Sequence, residues 1–407
     1  MESSRRHAGP PGRDRPVAVW AIAAGLTGLG IAVVAAAVTA AAVLVARKVL
    51  VPPMSREEDT DILGVDRETG TITLSRSPDA VVPGRYSFWF GGASGHARVG
   101  EILAETAESV TRELIDVEFG DLEAAGRGRF NGWFYRRPED LGVESEEVVI
   151  ETELGPAPAW LVRASREHAS GVGRGEGKWV IQVHGRAVSR AETIRAIPVF
   201  RDAGYTSLLI SYRNDLEAPP SPDGRYALGD TEWRDVDAAI GYAIRNGAKS
   251  VVLMGWSMGG AIVLQALTRS ARADAVRGLV LESPVIDWVT ALDHQGRSQG
   301  LRGPLRSLVY AMMGAAWGRP FTGQHASIDL ARLDFVRRAD ELTVPILILH
   351  SDDDDYVPSS ASHALAGARP DIVTLEAFDT ARHTRLWNYD PQRWNGAIAG
   401  WLARLSP

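Results

Sequence analysis

No cysteine occurs among the 407 residues, which excludes disulfides, thiolate catalysis and cysteine-ligated metals. Lysine is nearly absent too: Lys48, Lys178 and Lys249 stand against a large complement of arginine. That bias is compositional, so no single arginine carries weight by itself. There is no basic surplus; the formal net charge of −7 gives no reason to expect nucleic acid as a partner. No repeat or low-complexity tract stands out. One stretch lacks charge altogether, from Val17 to Ala46, and consists almost wholly of Ala, Val, Leu, Ile and Gly. About 20 such residues cross the hydrocarbon core as a helix, so this run spans once with length to spare.

Arg5, Arg6, Arg13 and Arg15 precede that run, while Arg47 and Lys48 follow it and lead into Glu57, Glu58, Asp59 and Asp61. The positive-inside bias favours a cytoplasmic N-terminus, with the body of the protein outside a cell membrane. The rival is a cleaved signal peptide, with small residues near Ala40 to Ala42 for a peptidase. The run far exceeds the roughly 7–15 residues of an ordinary signal core, so an uncleaved single-pass anchor is expected.

Four segments follow from this reading: a basic tail over 1–16, a transmembrane helix over 17–46, an extension over 54–144, and a second rhythm over 145–405. The extension mixes alternating runs such as Thr71–Leu74 and Tyr86–Phe90 with one helical stretch near Val99 to Leu114. Asn131-Gly132-Trp133-Phe134-Tyr135 reads as a turn into another strand, and the aromatics as packing of a small β-rich unit. From Val148 the pattern changes. Val148–Thr152 and Ala159–Val162 flank Gly155-Pro156 as an antiparallel pair, and the glycine-rich stretch from Gly171 to Gly177 reads as a flexible connection. Buried-type strands then alternate with helices, which implies a mostly parallel sheet covered on both faces. The alternation breaks between about Asp287 and Leu342, where Leu305 to Trp317 forms an apolar helix inserted as a lid.

Within this rhythm Gly255-Trp256-Ser257-Met258-Gly259 follows the strand Val251–Met254 and precedes a small-residue helix. Strand, sharp turn and helix are the context of a nucleophile elbow, which holds a serine above the sheet at a helix N-terminus. A serine nucleophile needs a base, an acid to orient it, and donors for an oxyanion. The usual order is serine, acid, histidine. Of nine histidines only His383 lies beyond the last core strand. The acid belongs after the strand Pro345–Leu349, where Asp352, Asp353, Asp354 and Asp355 are four candidates. The same run lacks the spacing of a calcium loop, so no metal and no cofactor are expected.

Order and context resemble the α/β-hydrolase superfamily, in particular its serine-aminopeptidase and prolyl-oligopeptidase-like branch. The resemblance covers roughly 145–405. It implies an α/β-hydrolase fold with a small lid at about 287–342, preceded here by a transmembrane helix and a small α+β extension. The family's His-Gly-x-x-Asp-x-x-Val-Pro pattern falls on His350 to Pro358 and puts the acid at Asp354, with Ser351 standing where glycine is usual. Asp353 and Asp355 are then solvated loop charges. The resemblance also puts the oxyanion donors at the amides of Met258 and of Arg186 in Val183-His184-Gly185-Arg186-Ala187, with Ala187 the near alternative and His184 a structural residue. Arg213 and Asp215, after another strand, are candidate substrate contacts or a loop-pinning pair. Glu282 is a candidate support for the acid loop. The expected activity is hydrolysis of a small-molecule or lipid ester, or thioester, through an acyl-enzyme. A serine peptidase is the first alternative and a non-catalytic membrane-tethered binding module the second.

Overall fold

The computed structural model describes residues 15–53, 56–165 and 177–405, and of residues 15–32 the backbone alone. Arg5, Arg6 and Arg13 of the basic tail, and residues 171–176 of the glycine-rich stretch, lie outside the described residues. The chain opens with one helix, α1 (Arg15–Leu50), whose segment Val33–Leu50 is apolar and long enough to cross a membrane. Its last turns do not stand apart. Ala42, Ala46 and Leu50 are buried in the main hydrophobic core of the protein.

Next come six antiparallel strands closed into a barrel: β1 (Thr60–Asp66), β2 (Thr71–Ser75), β3 (Tyr86–Phe90), β4 (Gly95–Glu105), β5 (Ser109–Phe119) and β6 (Arg127–Asn131). Alternating residues such as Ile72 and Leu74 turn inward, where they meet Tyr86, Phe88, Phe90 and Phe130. The helix expected near Val99 to Leu114 is instead the end of β4, a turn and the start of β5. The reason is local: the β4–β5 pairing shifts register four times between His96 and Ala104. Each bulge breaks the period-two pattern by one residue, which leaves a spacing that reads as helical. Asn131 ends β6 and the following residues form no strand; Phe134 and Tyr135 pack against Trp387 instead.

The remaining strands form one eight-stranded sheet in the order β14-β13-β12-β11-β9-β10-β8-β7. Their spans are β7 (Glu146–Thr152), β8 (Gly155–Val162), β9 (Lys178–Val183), β10 (Thr206–Ile210), β11 (Ser250–Trp256), β12 (Val276–Glu282), β13 (Ile346–Ser351) and β14 (Val373–Phe378). β7 and β8 pair antiparallel at one edge and the other six run parallel. Central strands such as β11 and β13 are buried on both faces, which is why they read as unbroken apolar runs. Helices cover the sheet: α2 (Ile197–Asp202), α3 (Trp233–Arg245), α4 (Met258–Arg269), α8 (Ser360–Ala368), α9 (Leu386–Tyr389) and α10 (Pro391–Arg404). Between β12 and β13 lies the insertion, with α5 (Trp288–Ser298), α6 (Gly303–Gly314) and α7 (Arg319–Thr322). α1 packs along α6 and α7.

The barrel docks beside the end of the sheet. Asn388 Nδ2 donates to the carbonyls of Arg85 and Gly132, and Arg195 reaches the same Gly132 carbonyl. Arg385 pairs with Asp79. Arg385 and Asn388 lie on the segment that directly follows His383.

Candidate active site

β11 ends at Trp256 and α4 begins at Met258, so a single residue, Ser257, makes the whole turn. Its backbone sits at φ 52° and ψ −115°, a strained conformation for a residue with a side chain. The turn closes only because both flanking positions lack a Cβ. One built on Gly259 would lie 2.2 Å from the carbonyl oxygen of Val183, and one on Gly255 would lie 2.5 Å from the backbone of Gly259. Ser257 is thereby fixed beneath the N-terminus of α4, with its N–H donated to the Glu282 carbonyl.

His383 Nε2 lies 3.0 Å from Ser257 Oγ, and His383 Nδ1 lies 2.7 Å from Asp354 Oδ2. The other carboxylate oxygen of Asp354 accepts from the amides of Tyr356 and Val357, at 3.0 and 2.8 Å. Burial alone would raise the Asp354 carboxyl. His383 and His350 facing it outweigh that and hold it well below the usual carboxylate range. The histidine loop is itself strained, with φ of 61° at Arg382 and 52° at Thr384 on either side of His383.

A clamp not anticipated from the sequence joins the two loops. Asp353 accepts from the amides of Ala381 and Arg382 and from Ser351 Oγ, and Ser351 Oγ accepts from Ala381 N–H at 2.9 Å. Asp353 is therefore not a solvated charge, as the sequence suggested, while Asp355 is exposed and pairs with Arg382. The serine that departs from the family's glycine is part of this clamp, so the departure has a structural use. Asp353→Ala should leave the fold intact and lower kcat roughly 10- to 100-fold, because a misplacement of about 1 Å at His383 is costly. Steady-state kinetics beside a circular dichroism melt would check it.

Among the amides near Ser257, that of Gly185 donates to Glu192 and that of Ala187 to Tyr226 Oη. The amides of Arg186 and Met258 have no hydrogen-bond partner among the described residues. His184 is buried, stacked on Tyr212 and bonded to Asp215, which places it in the loop's scaffold.

Arg213 and Asp215 line neither cavity at Ser257. Arg213 makes a buried bidentate pair with Asp235 and a second pair with Glu153. Asp215 accepts from His184 and from the amides of Tyr212, Glu217 and Ala218. Such charges are turned inward because a buried carboxylate needs donors on both oxygens. Arg213→Ala strands Asp235 and should cost about 3 kcal/mol or more, without slowing Ser257 chemistry in the folded fraction. Chemical denaturation alongside a labelling rate at low temperature would test both halves. Glu282 likewise serves another element than the one expected. It accepts from the indoles of Trp256 and Trp394, and burial pushes its carboxyl up.

Two cavities share Ser257, Arg186 and Tyr356. One, about 380 Å³, lies toward the barrel and is ringed by Arg56, Arg382 and Arg385. The other, about 180 Å³, is mostly apolar and lies between α1 and the lid. Tyr356 has its ring 5.1 Å from that of His383, and no motif pointed to it.

This sheet, elbow and loop arrangement is that of an α/β-hydrolase. The chain belongs to the α/β-hydrolase family, whose pattern it matches over residues 180–397. Residues 61–131, the barrel, match a domain family of unknown function. No curated protein matches the chain. Among solved structures, an esterase of Pyrococcus furiosus is 20% identical, with a TM-score of 0.50, over 67% of this chain and 97% of that one. An esterase of Butyrivibrio proteoclasticus, solved with ferulic acid bound, is 15% identical over 63% of this chain and 98% of its own, with a TM-score of 0.48. A puromycin-hydrolysing peptidase of Mycobacterium tuberculosis is 16% identical over 82% of this chain and 49% of its own, with a TM-score of 0.47. At such identities the likeness speaks to the fold alone.

Proposed function

We propose that this hydrolase is a membrane-anchored serine esterase, acting on carboxylic esters or thioesters through an acyl-enzyme. The observation that carries the reading is the unbroken chain of contacts from Asp354 through His383 to Ser257. Ser257 Oγ attacks the carbonyl carbon and its proton passes to His383 Nε2, while Asp354 holds the imidazolium that forms. The amides of Met258 and Arg186 receive the negative oxygen. Collapse breaks the bond to the alcohol or thiol, which leaves with the proton from His383. Water then adds to the acyl-enzyme by the same route, and the carboxylic acid departs. No cofactor enters these steps.

The anchor reading rests on the length of the apolar run, and α1 ends fixed to the hydrolase. Arg186 caps its C-terminus, donating to the carbonyls of Lys48, Val49 and Val51, and Tyr226 N–H donates to Leu50. These contacts lie C-terminal to the peptidase-type residues Ala40 to Ala42; retention is favoured by the apolar run, far longer than the roughly 7–15 residues of a signal core. A retained helix fits, with the hydrolase outside the membrane as the flanking charges favour.

The peptidase alternative needs an acid for a substrate ammonium. Three acids line the larger cavity, and each already has a partner: Glu192 accepts from the Gly185 amide, Asp79 pairs with Arg385 and Asp355 with Arg382. An acid so engaged is a poor receptor for a substrate ammonium, which favours the ester reading. Turnover of p-nitrophenyl esters of graded chain length, set against aminoacyl and peptidyl anilides, tests the reading. Esters should be cleaved and anilides left; the reverse would overturn it.

A further inference from the structure

We propose that the last turns of α1 form one wall of the acyl-binding subsite, and that its occupant is the acyl chain of a lipid ester drawn from the bilayer. The proposal rests on the serine-esterase reading above and adds where the acyl chain lies and from where it comes.

Three observations converge. Val45 and Val49 line the same apolar cavity as the Ser257 nucleophile, opposite Leu292, Leu301 and Val309 of the lid region. A passive tether would have no reason to share a cavity with a nucleophile. Second, Ala42, Ala46 and Leu50 are buried in the hydrolase core, so this end of the helix is fixed with respect to Ser257. The guanidinium that caps the helix belongs to Arg186, whose own amide lies beside Ser257 without a partner among the described residues. Third, the surface around the helix is apolar where it leaves the enzyme. Val33, Val34 and Val38 are exposed on α1, and Trp317 and Phe321 are exposed in the lid. Arg47 on α1 donates to the Phe321 carbonyl, which places that ring beside the helix. A phenylalanine exposed next to an apolar helix, with an exposed indole in the same lid, suits the interface of a bilayer.

The lengths agree. With residues from about 42 onward held in the enzyme, about 25 residues remain from Val17, or ~37 Å at ~1.5 Å per residue, against a hydrocarbon core of ~30 Å. The cavity then stands directly at the membrane surface. A single acyl chain that leaves the bilayer along α1 exchanges one apolar contact for another, without crossing water. At ~0.8 kcal/mol per methylene, crossing water would be costly for a long chain.

The absence of cysteine makes the test clean. Val49→Cys is prepared in the full chain, reconstituted in phosphatidylcholine vesicles and alkylated with hexyl methanethiosulfonate; Val49→Trp is a second, reagent-free way to fill the cavity. Leu44→Cys, on an exposed face of the same helix, is the control. The readout is the rate of Ser257 labelling by an ethyl and by a dodecyl fluorophosphonate. Filling the cavity should slow the dodecyl probe 10- to 100-fold and leave the ethyl probe within about 2-fold, while the control changes neither. Unaltered dodecyl labelling in both filled proteins, or equal slowing of both probes, overturns the proposal. Wild-type labelling by the ethyl probe alone shows that the serine-esterase reading survives such a failure; no labelling by either probe sinks both. The dodecyl probe should also react faster from the vesicles that hold the protein than from separate vesicles. Equal rates would overturn the bilayer route.

Discussion

Ser257→Ala should lower ester turnover by on the order of 10⁶-fold and abolish covalent labelling by a fluorophosphonate. The variant is expected to fold normally. The hydroxyl donates only to His383, and its removal creates neither a cavity of consequence nor a stranded buried charge. The strained φ of 52° is imposed by the flanking glycines and by the tight approach to Val183, so it persists with alanine. Loss of labelling with an unchanged melt would locate the nucleophile at this residue. Retained labelling at another serine would remove the foundation of the proposed mechanism.

Asp354→Asn should lower kcat on the order of 10⁴-fold while KM changes little. The amide can still accept from Tyr356 and Val357 N–H, so the loop should hold its shape. What is lost is the charge that orients His383 and stabilises its protonated form. The same substitution changes acid stability. The carboxyl of Asp354 is depressed in the folded protein, so its contribution to stability is complete above its unfolded value of about 4. That contribution is lost as pH falls through the folded value. An acid titration followed by tryptophan fluorescence should therefore show a steeper loss for the wild type than for Asp354→Asn.

Much of the site was legible because its determinants are local. A glycine on each side of Ser257, an apolar strand before it and a small-residue helix after it are all set within a few residues. The late position of His383 follows from the direction in which a parallel sheet presents its loops. Asp354 required the family pattern, because four adjacent aspartates look alike until one is turned inward. Only folding separates them: Asp354 is buried against two histidines, Asp353 clamps the neighbouring loop, and Asp355 faces solvent. The barrel was harder to read, since bulges in β4 destroyed the alternation that marks a strand.

By itself the sequence determined the length of the apolar helix, the parallel sheet and the turn that carries Ser257, because each depends on periodicity or on residues adjacent in the chain. Tertiary structure alone decided which charged residues serve the site and which serve the fold. It turned Arg213 and Asp215 inward to each find a partner, and it brought Arg186 onto the end of a helix more than a hundred residues earlier. It also brought the end of the apolar helix to a cavity that Ser257 lines. Composition shows that a helix can cross a bilayer; only packing shows that its last turns line the cavity at Ser257.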